Sequence, residues 1–124
     1  MARILVADDD SVMLGLLTTL LSFEGDEAIT VRRVDEVLPT AEREAPDLIL
    51  MDVHLGQGNT FDILEALRTH PQTRNIPVLM TSGLDLQDKA LKKGADGFIM
   101  KPFRPNHLLH RIHAMIAEHE NVSS

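Results

Sequence analysis

The sequence predicts an α/β fold, a doubly wound five-stranded parallel sheet with helices on both faces. Two observations predict it. Short apolar runs, suited to strands buried on both faces, alternate five times with stretches whose apolar residues recur at helical spacing. Acids, hydroxyls and an amine stand directly after four of those runs, at the strand ends where an open parallel sheet places its ligand site.

Ile4-Leu5-Val6-Ala7 is the first such run and ends at Asp8. Met13, Leu16, Leu17, Leu20 and Leu21 follow at helical spacing, with Asp10 or Ser11 as the N-cap and Gly25 just past the stop. Ala28 to Val31 reads as a shorter edge strand. Val34, Val37, Leu38 and Ala41 give a second helix, with Pro39 near its first turns and Pro46 closing it. Leu48 to Met51 is the clearest central strand, and Asp52 ends it. A Gly-rich loop from His54 to Asn59 leads to a third helix marked by Phe61, Leu64 and Leu67, with Thr60 as its cap. Pro77 to Met80 is the fourth strand, followed by Thr81-Ser82-Gly83. A short helix spans about Leu86 to Lys93 and stops at Gly94. Phe98 to Met100 is the fifth strand, ending at Lys101-Pro102. Pro105 suits the first turn of the last helix, whose apolar residues are Leu108, Leu109, Ile112, Met115 and Ile116. Residues 1–120 thus form one domain, and 121–124 are expected to be a frayed tail or the start of a linker.

Composition narrows the function classes. With 124 residues, 44% apolar and 25% charged, the chain can bury a core without staples, and the lack of Cys excludes disulfides and thiolate metal sites. A formal net charge of −7 opposes binding to nucleic acid and to anionic lipid. The absence of Trp and Tyr removes most platforms for base stacking. No apolar run approaches the length of a membrane span, and Met1 to Ile4 lead straight into a strand, so the expected location is cytoplasmic.

In the predicted fold, Asp8, Asp9 and Asp10 arrive from the first strand, Asp52 from the third, Thr81 and Ser82 from the fourth and Lys101 from the fifth. Asp8, Asp9 and Asp52 grouped with one Lys leave negative charge uncompensated, which recruits a cation or raises a pKa. A hard divalent ion with oxygen ligands, Mg²⁺, suits such a set. A carboxylate can act as a nucleophile in phosphoryl transfer and form an aspartyl phosphate.

Asp8-Asp9, Asp52, Ser82-Gly83, Phe98 and Lys101-Pro102-Phe103, in that order and spacing, resemble the response-regulator receiver family, from Ile4 to about Ala117. The resemblance implies a flavodoxin-like fold with strand order 2-1-3-4-5. It makes Asp52 the phosphoacceptor and Asp9 a direct Mg²⁺ ligand. Asp8 would help mostly through water, and the backbone carbonyl of His54 would be a further ligand. Lys101 would pair with Asp52 or the phosphoryl group, and the Lys101–Pro102 peptide would be cis. Ser82 takes the family's hydroxyl position, with Thr81 as the fallback, and Phe98 takes the place of the switch aromatic. The implied partners are a histidine kinase or phosphotransfer protein as donor, and a downstream protein on the face formed by the fourth helix, fifth strand and fifth helix. A monomer or weak homodimer is expected, with no nucleic acid bound by these residues and no separate enzymatic substrate. Two loop positions depart from the family: Gly56 stands where Pro is frequent, and Thr60 where Gly is frequent.

Blander readings stand beside these. The Asp8–Asp10 run could merely cap a helix, and Phe98 could be only a core aromatic. His107, His110 and His113 recur every three residues but read as a polar helix face rather than a metal site. The Met residues at 13, 51, 80, 100 and 115 read as core. Gly56-Gln57-Gly58 lacks the Lys-Ser/Thr of a nucleotide-binding loop. A degenerate receiver would need a broken site. A phosphatase using an aspartyl phosphate usually carries a second acid where His54 stands, and it needs a cap domain for which there is no room.

Overall fold

The computed structural model describes residues 1–56 and 58–123, so Gln57 and the last residue of the expected tail, Ser124, lie outside the described residues. The strands are β1 (Arg3–Ala7), β2 (Glu27–Val31), β3 (Leu48–Asp52), β4 (His54–Leu55), β5 (Gly58–Asn59), β6 (Val78–Ser82) and β7 (Gly97–Met100). The helices are α1 (Ser11–Phe23), α2 (Val34–Glu44), α3 (Phe61–Thr69), α4 (Gln87–Lys93) and α5 (Pro105–Ser123). Five strands form one parallel sheet in the order β2-β1-β3-β6-β7, while β4 and β5 make a separate antiparallel ladder. Setting that small ladder aside, the sheet has the expected 2-1-3-4-5 order of the flavodoxin-like class.

Strand alternation divides the core into two layers. Leu5, Ala7, Ile49, Met51, Met80 and Phe98 face α2, α3 and α4. Ile4, Val6, Leu48, Leu50, Leu79 and Ile99 face the buried stripes of α1 and α5, which include Leu17, Leu21, Leu108 and Ile112. Every residue of β3 is buried, as a strand covered on both faces requires.

The helix ends follow local chemistry. Asp10 caps α1, its carboxylate accepting the Val12 and Met13 amides. α2 carries Asp35 and Glu36 in its first turn and Arg43 in its last, matching the helix dipole, and keeps Pro39 inside. Ala45, with φ of 45°, turns the chain ahead of Pro46. Gly94, with φ of 115°, ends α4.

Several expectations are corrected. The segment after Asp52 contains a two-stranded antiparallel ladder, His54–Leu55 with Gly58–Asn59, with Gly56 at positive φ. Thr60 precedes α3 but makes no capping bond, because its buried hydroxyl points at backbone carbonyls instead. Leu14, not Leu16, fills the inner stripe of α1. Met100 is 44% exposed, because it ends an outer strand just past the last helix cover.

Two polar hubs tie the elements together. The Arg68 guanidinium on α3 donates to the carbonyls of Gly94, Arg74 and Ile76 and to the carboxylate of Asp96. At the other flank, Asp26 accepts the Ala2 amide at 2.9 Å and pairs with His113 Nε2 at 2.6 Å, joining the N-terminal segment, the α1–β2 turn and α5. Burial pushes the Asp26 carboxyl pKa up, but its bonds to His113 and Ala2 outweigh this and hold it below the ordinary value. A depressed folded pKa contributes stability above the unfolded value and loses it as pH falls through the folded one. Asp26→Ala is therefore expected to cost about 1–2 kcal/mol near pH 6. In urea denaturation followed by circular dichroism, that difference should shrink below about pH 4. A difference that is constant with pH would show that the carboxylate charge is not involved.

Candidate functional site

The strand order changes direction at β1, with β2 on one side and β3 on the other, and the crevice this opens lies beyond the carboxyl ends of the strands. Asp8 follows the last residue of β1, Asp52 is the last of β3, Ser82 is the last of β6, and Lys101 follows the last of β7. Ladder bonds hold these tips level: Val53 N–H donates to the Thr81 carbonyl and Lys101 N–H to the Ser82 carbonyl, both at 2.8 Å.

Lys101 Nζ reaches across the edge to Asp52 Oδ2 at 2.7 Å and Asp8 Oδ2 at 2.9 Å. Both acids are buried, at 9% and 3% exposure. Burial pulls the Lys101 pKa down, but its bonds to Asp52 and then Asp8 outweigh it, so the ammonium is held above the ordinary lysine range. The second oxygen of each acid is also engaged: Asp52 Oδ1 accepts the His54 amide at 3.1 Å and Asp8 Oδ1 the Asp10 amide at 2.9 Å. Asp9 is exposed, its Oδ2 accepting the Gly56 amide at 3.0 Å, while Arg32 donates to its backbone carbonyl.

The hydroxyls divide between the sheet faces. Thr81 pairs with Asp52 in register and shares the face of Leu79. Ser82 shares the face of Met80 and Phe98, and its Oγ accepts the Leu84 amide at 3.0 Å. The Thr81 hydroxyl is buried with no hydrogen-bond partner among the described residues. Phe98 is 5% exposed. The Lys101–Pro102 peptide is cis.

Asp8, Asp52 and Lys101 are thus in direct contact, Asp9 joins them through the Gly56 turn, and Ser82 stands at the same edge bonded elsewhere. No three His, Asp or Glu side chains among the described residues converge closely enough to enclose a metal unaided. Each carboxylate still has lone pairs free beyond the bonds above. A hard cation at this edge would therefore draw on Asp8, Asp9 and Asp52 together with backbone carbonyl, water or phosphoryl oxygens. The histidine periodicity on α5 has a structural explanation, since His113 serves Asp26 while His107 and His110 face solvent.

The response regulator receiver domain model matches residues 4–113. The chain belongs to the response regulator receiver family of two-component signalling. Among curated proteins, the DNA-binding response regulator MtrA of Mycolicibacterium smegmatis is 34% identical over 96% of this chain and 52% of that protein. A probable transcriptional regulator, ycf27, of Cyanophora paradoxa is 33% identical over 96% of this chain and 50% of its own length. The receiver therefore spans about half the length of these relatives. Among solved structures, a CheY-like receiver domain protein of Methanospirillum hungatei superposes with a TM-score of 0.89 at 31% identity, covering 98% of both chains. The chemotaxis response regulator CheY4 of Vibrio cholerae gives 0.86 at 27% identity, over 93% of this chain and 98% of that one.

Reading the sequence missed two groups in this receiver's site, the Thr60 hydroxyl and the Gly56 amide. The only available signal was that both stand where the loop departs from the family. Lys101 also sets an electrostatic expectation. In Lys101→Met the buried Asp8–Asp52 pair loses its counter-charge, so one carboxyl should take a proton in the folded state at a pH where the unfolded chain would not. A raised carboxyl pKa makes stability fall as pH rises. The variant should gain about 1–2 kcal/mol relative to wild type between pH 7.5 and 5, read by urea denaturation at each pH. A pH-independent offset would mean the two acids do not share the lysine's charge.

Proposed function

We propose that this receiver takes a phosphoryl group onto Asp52 from a phosphohistidine on a histidine kinase or phosphotransfer protein. The observation that carries the reading is the Lys101 ammonium held between Asp52 and Asp8 at the sheet edge. A carboxylate oxygen of Asp52 attacks phosphorus, the P–N bond to the donor imidazole breaks, and the imidazole leaves with the bonding pair. Lys101 and the Ser82 hydroxyl bind the phosphoryl oxygens and stabilise the charge that develops on them. Asp8, Asp9, Asp52 and the His54 carbonyl would hold Mg²⁺. When bound, it supplies positive charge that offsets the repulsion between these acids and an incoming phosphate. The protein acts on itself, adding and later losing its own phosphoryl group, rather than on a separate substrate.

The output follows from the hydroxyl. Ser82 turning toward the phosphoryl group gives up the Leu84 amide, and Phe98, on the same sheet face, follows into the vacated space. The α4–β7–α5 surface then favours a different downstream protein. Physically this is a population shift between two states of one fold. Leu91 and Met100, exposed by 43% and 44%, supply apolar contact area on that surface. With a net charge of −7 these residues suit a protein partner rather than nucleic acid, whatever the remaining half of the DNA-binding relatives does. No helix among the described residues is long and apolar enough to cross a membrane.

Acetyl phosphate with Mg²⁺ should add one phosphoryl mass to the wild type, and Asp52→Asn should abolish the addition. Intact-protein mass spectrometry reads the result. An unmodified wild type, or an Asn variant modified equally, would sink the assignment.

A further inference from the structure

The β4–β5 hairpin connects two of the site's three acids, Asp52 and Asp9, and each connection is made by a group outside the acid–lysine set. Thr60, fully buried, donates its amide to the Val53 carbonyl at 2.8 Å. Its hydroxyl donates to the Asp52 carbonyl at 2.7 Å and lies 3.2 Å from the Val53 carbonyl. The Val53 carbonyl belongs to the same peptide group as the His54 amide, which donates to Asp52 Oδ1. Thr60 therefore orients the peptide plane that grips the Asp52 carboxylate, and the bonds in series polarise one another. At the far end of the hairpin, Gly56 has φ of 64° and aims its amide at Asp9 Oδ2. Asp52 lies one residue past the last β1–β3 pair, Ala7 with Met51, and is held by the sheet only on its β6 side, where it pairs with Thr81.

We propose that the hairpin is a brace that fixes the orientation of Asp52 relative to Asp9, with Thr60 and Gly56 as its positioning residues. The proposal deepens the phosphoacceptor reading and rests on it. Ordering the carboxylates before a cation or phosphoryl group arrives avoids reorganisation during binding, as outer hydrogen bonds do for metal-ligating groups generally. Neither residue touches the reacting atoms.

The test compares Thr60→Val, which keeps the shape and removes the hydroxyl, with Thr60→Ser, which keeps the hydroxyl. Mg²⁺ affinity is measured by titration in ¹H–¹⁵N spectra, with the His54 amide proton as local reporter and the rate of acetyl phosphate modification alongside. Loss of one hydrogen bond predicts about a three- to tenfold weaker Mg²⁺ affinity and slower modification in Thr60→Val. The His54 amide should also move upfield, and Thr60→Ser should recover most of each change. A Thr60→Val protein that melts earlier yet matches wild type in His54 shift, affinity and rate would reduce Thr60 to a packing residue and overturn the brace. Should that variant fail to fold, the exposed turn gives the second arm. Gly56→Asn keeps the N–H and tolerates positive φ, whereas Gly56→Pro removes both the N–H and the positive φ that aims it. Equal Mg²⁺ affinity in these two would equally overturn it. A wild type that takes no phosphoryl group would instead refute the Asp52 assignment, a result separable from every outcome at Thr60 or Gly56.

Discussion

One ammonium bridging two buried carboxylates is the interaction on which the rest of this structure depends. Asp8 just past β1 and Asp52 at the end of the neighbouring β3 are both buried, and buried like charges without a counter-ion cost several kcal/mol each. Lys101 supplies one positive charge from a third strand and so holds β1, β3 and the end of β7 in a common geometry. Its compensation is incomplete, because the exposed Asp9, tied to this edge through the Gly56 amide, adds a third carboxylate. The edge is therefore stable enough to fold and still negative enough to favour a cation. A site with two lysines would fold more easily and lose that preference.

The parallel sheet makes such an arrangement economical. All its strands end on the same side, so residues distant in sequence meet without any long functional loop. The two apolar layers keep the strand tips level, and the polar groups need only be appended to them. The proposed switch then needs only two groups to change: a serine hydroxyl bonded to an amide two residues on, and an aromatic ring on the same face. The hairpin after Asp52 adds order at the point where the β1–β3 ladder stops.

The elements were legible because each rests on local chemistry. Short continuous apolar runs marked the strands and helical spacing the helices, and Asp10, Gly25, Gly94 and Pro105 marked their ends. Where a residue's role depends on distant neighbours, the reading went astray. Thr60 has the right type and place for a cap, yet carbonyls of the preceding strand compete for its hydroxyl and win. Met100 looks like core by hydropathy, but its exposure depends on where α4 and α5 stop covering β7. His113 looks like one of a polar row until Asp26, far away in sequence, comes into reach.

The order of apolar and polar residues alone determined the five strand–helix units, the parallel sheet and the side of it on which the acids and the lysine would gather. These follow from interactions within a few residues and from burial, which hydropathy encodes. Tertiary structure alone decided which oxygen each donor meets: that Lys101 divides itself between Asp8 and Asp52, that Gly56 faces Asp9 and that Thr60 faces the backbone of Asp52. A hydrogen bond depends on sub-ångström placement and angle, and that placement is settled only once both apolar layers have packed.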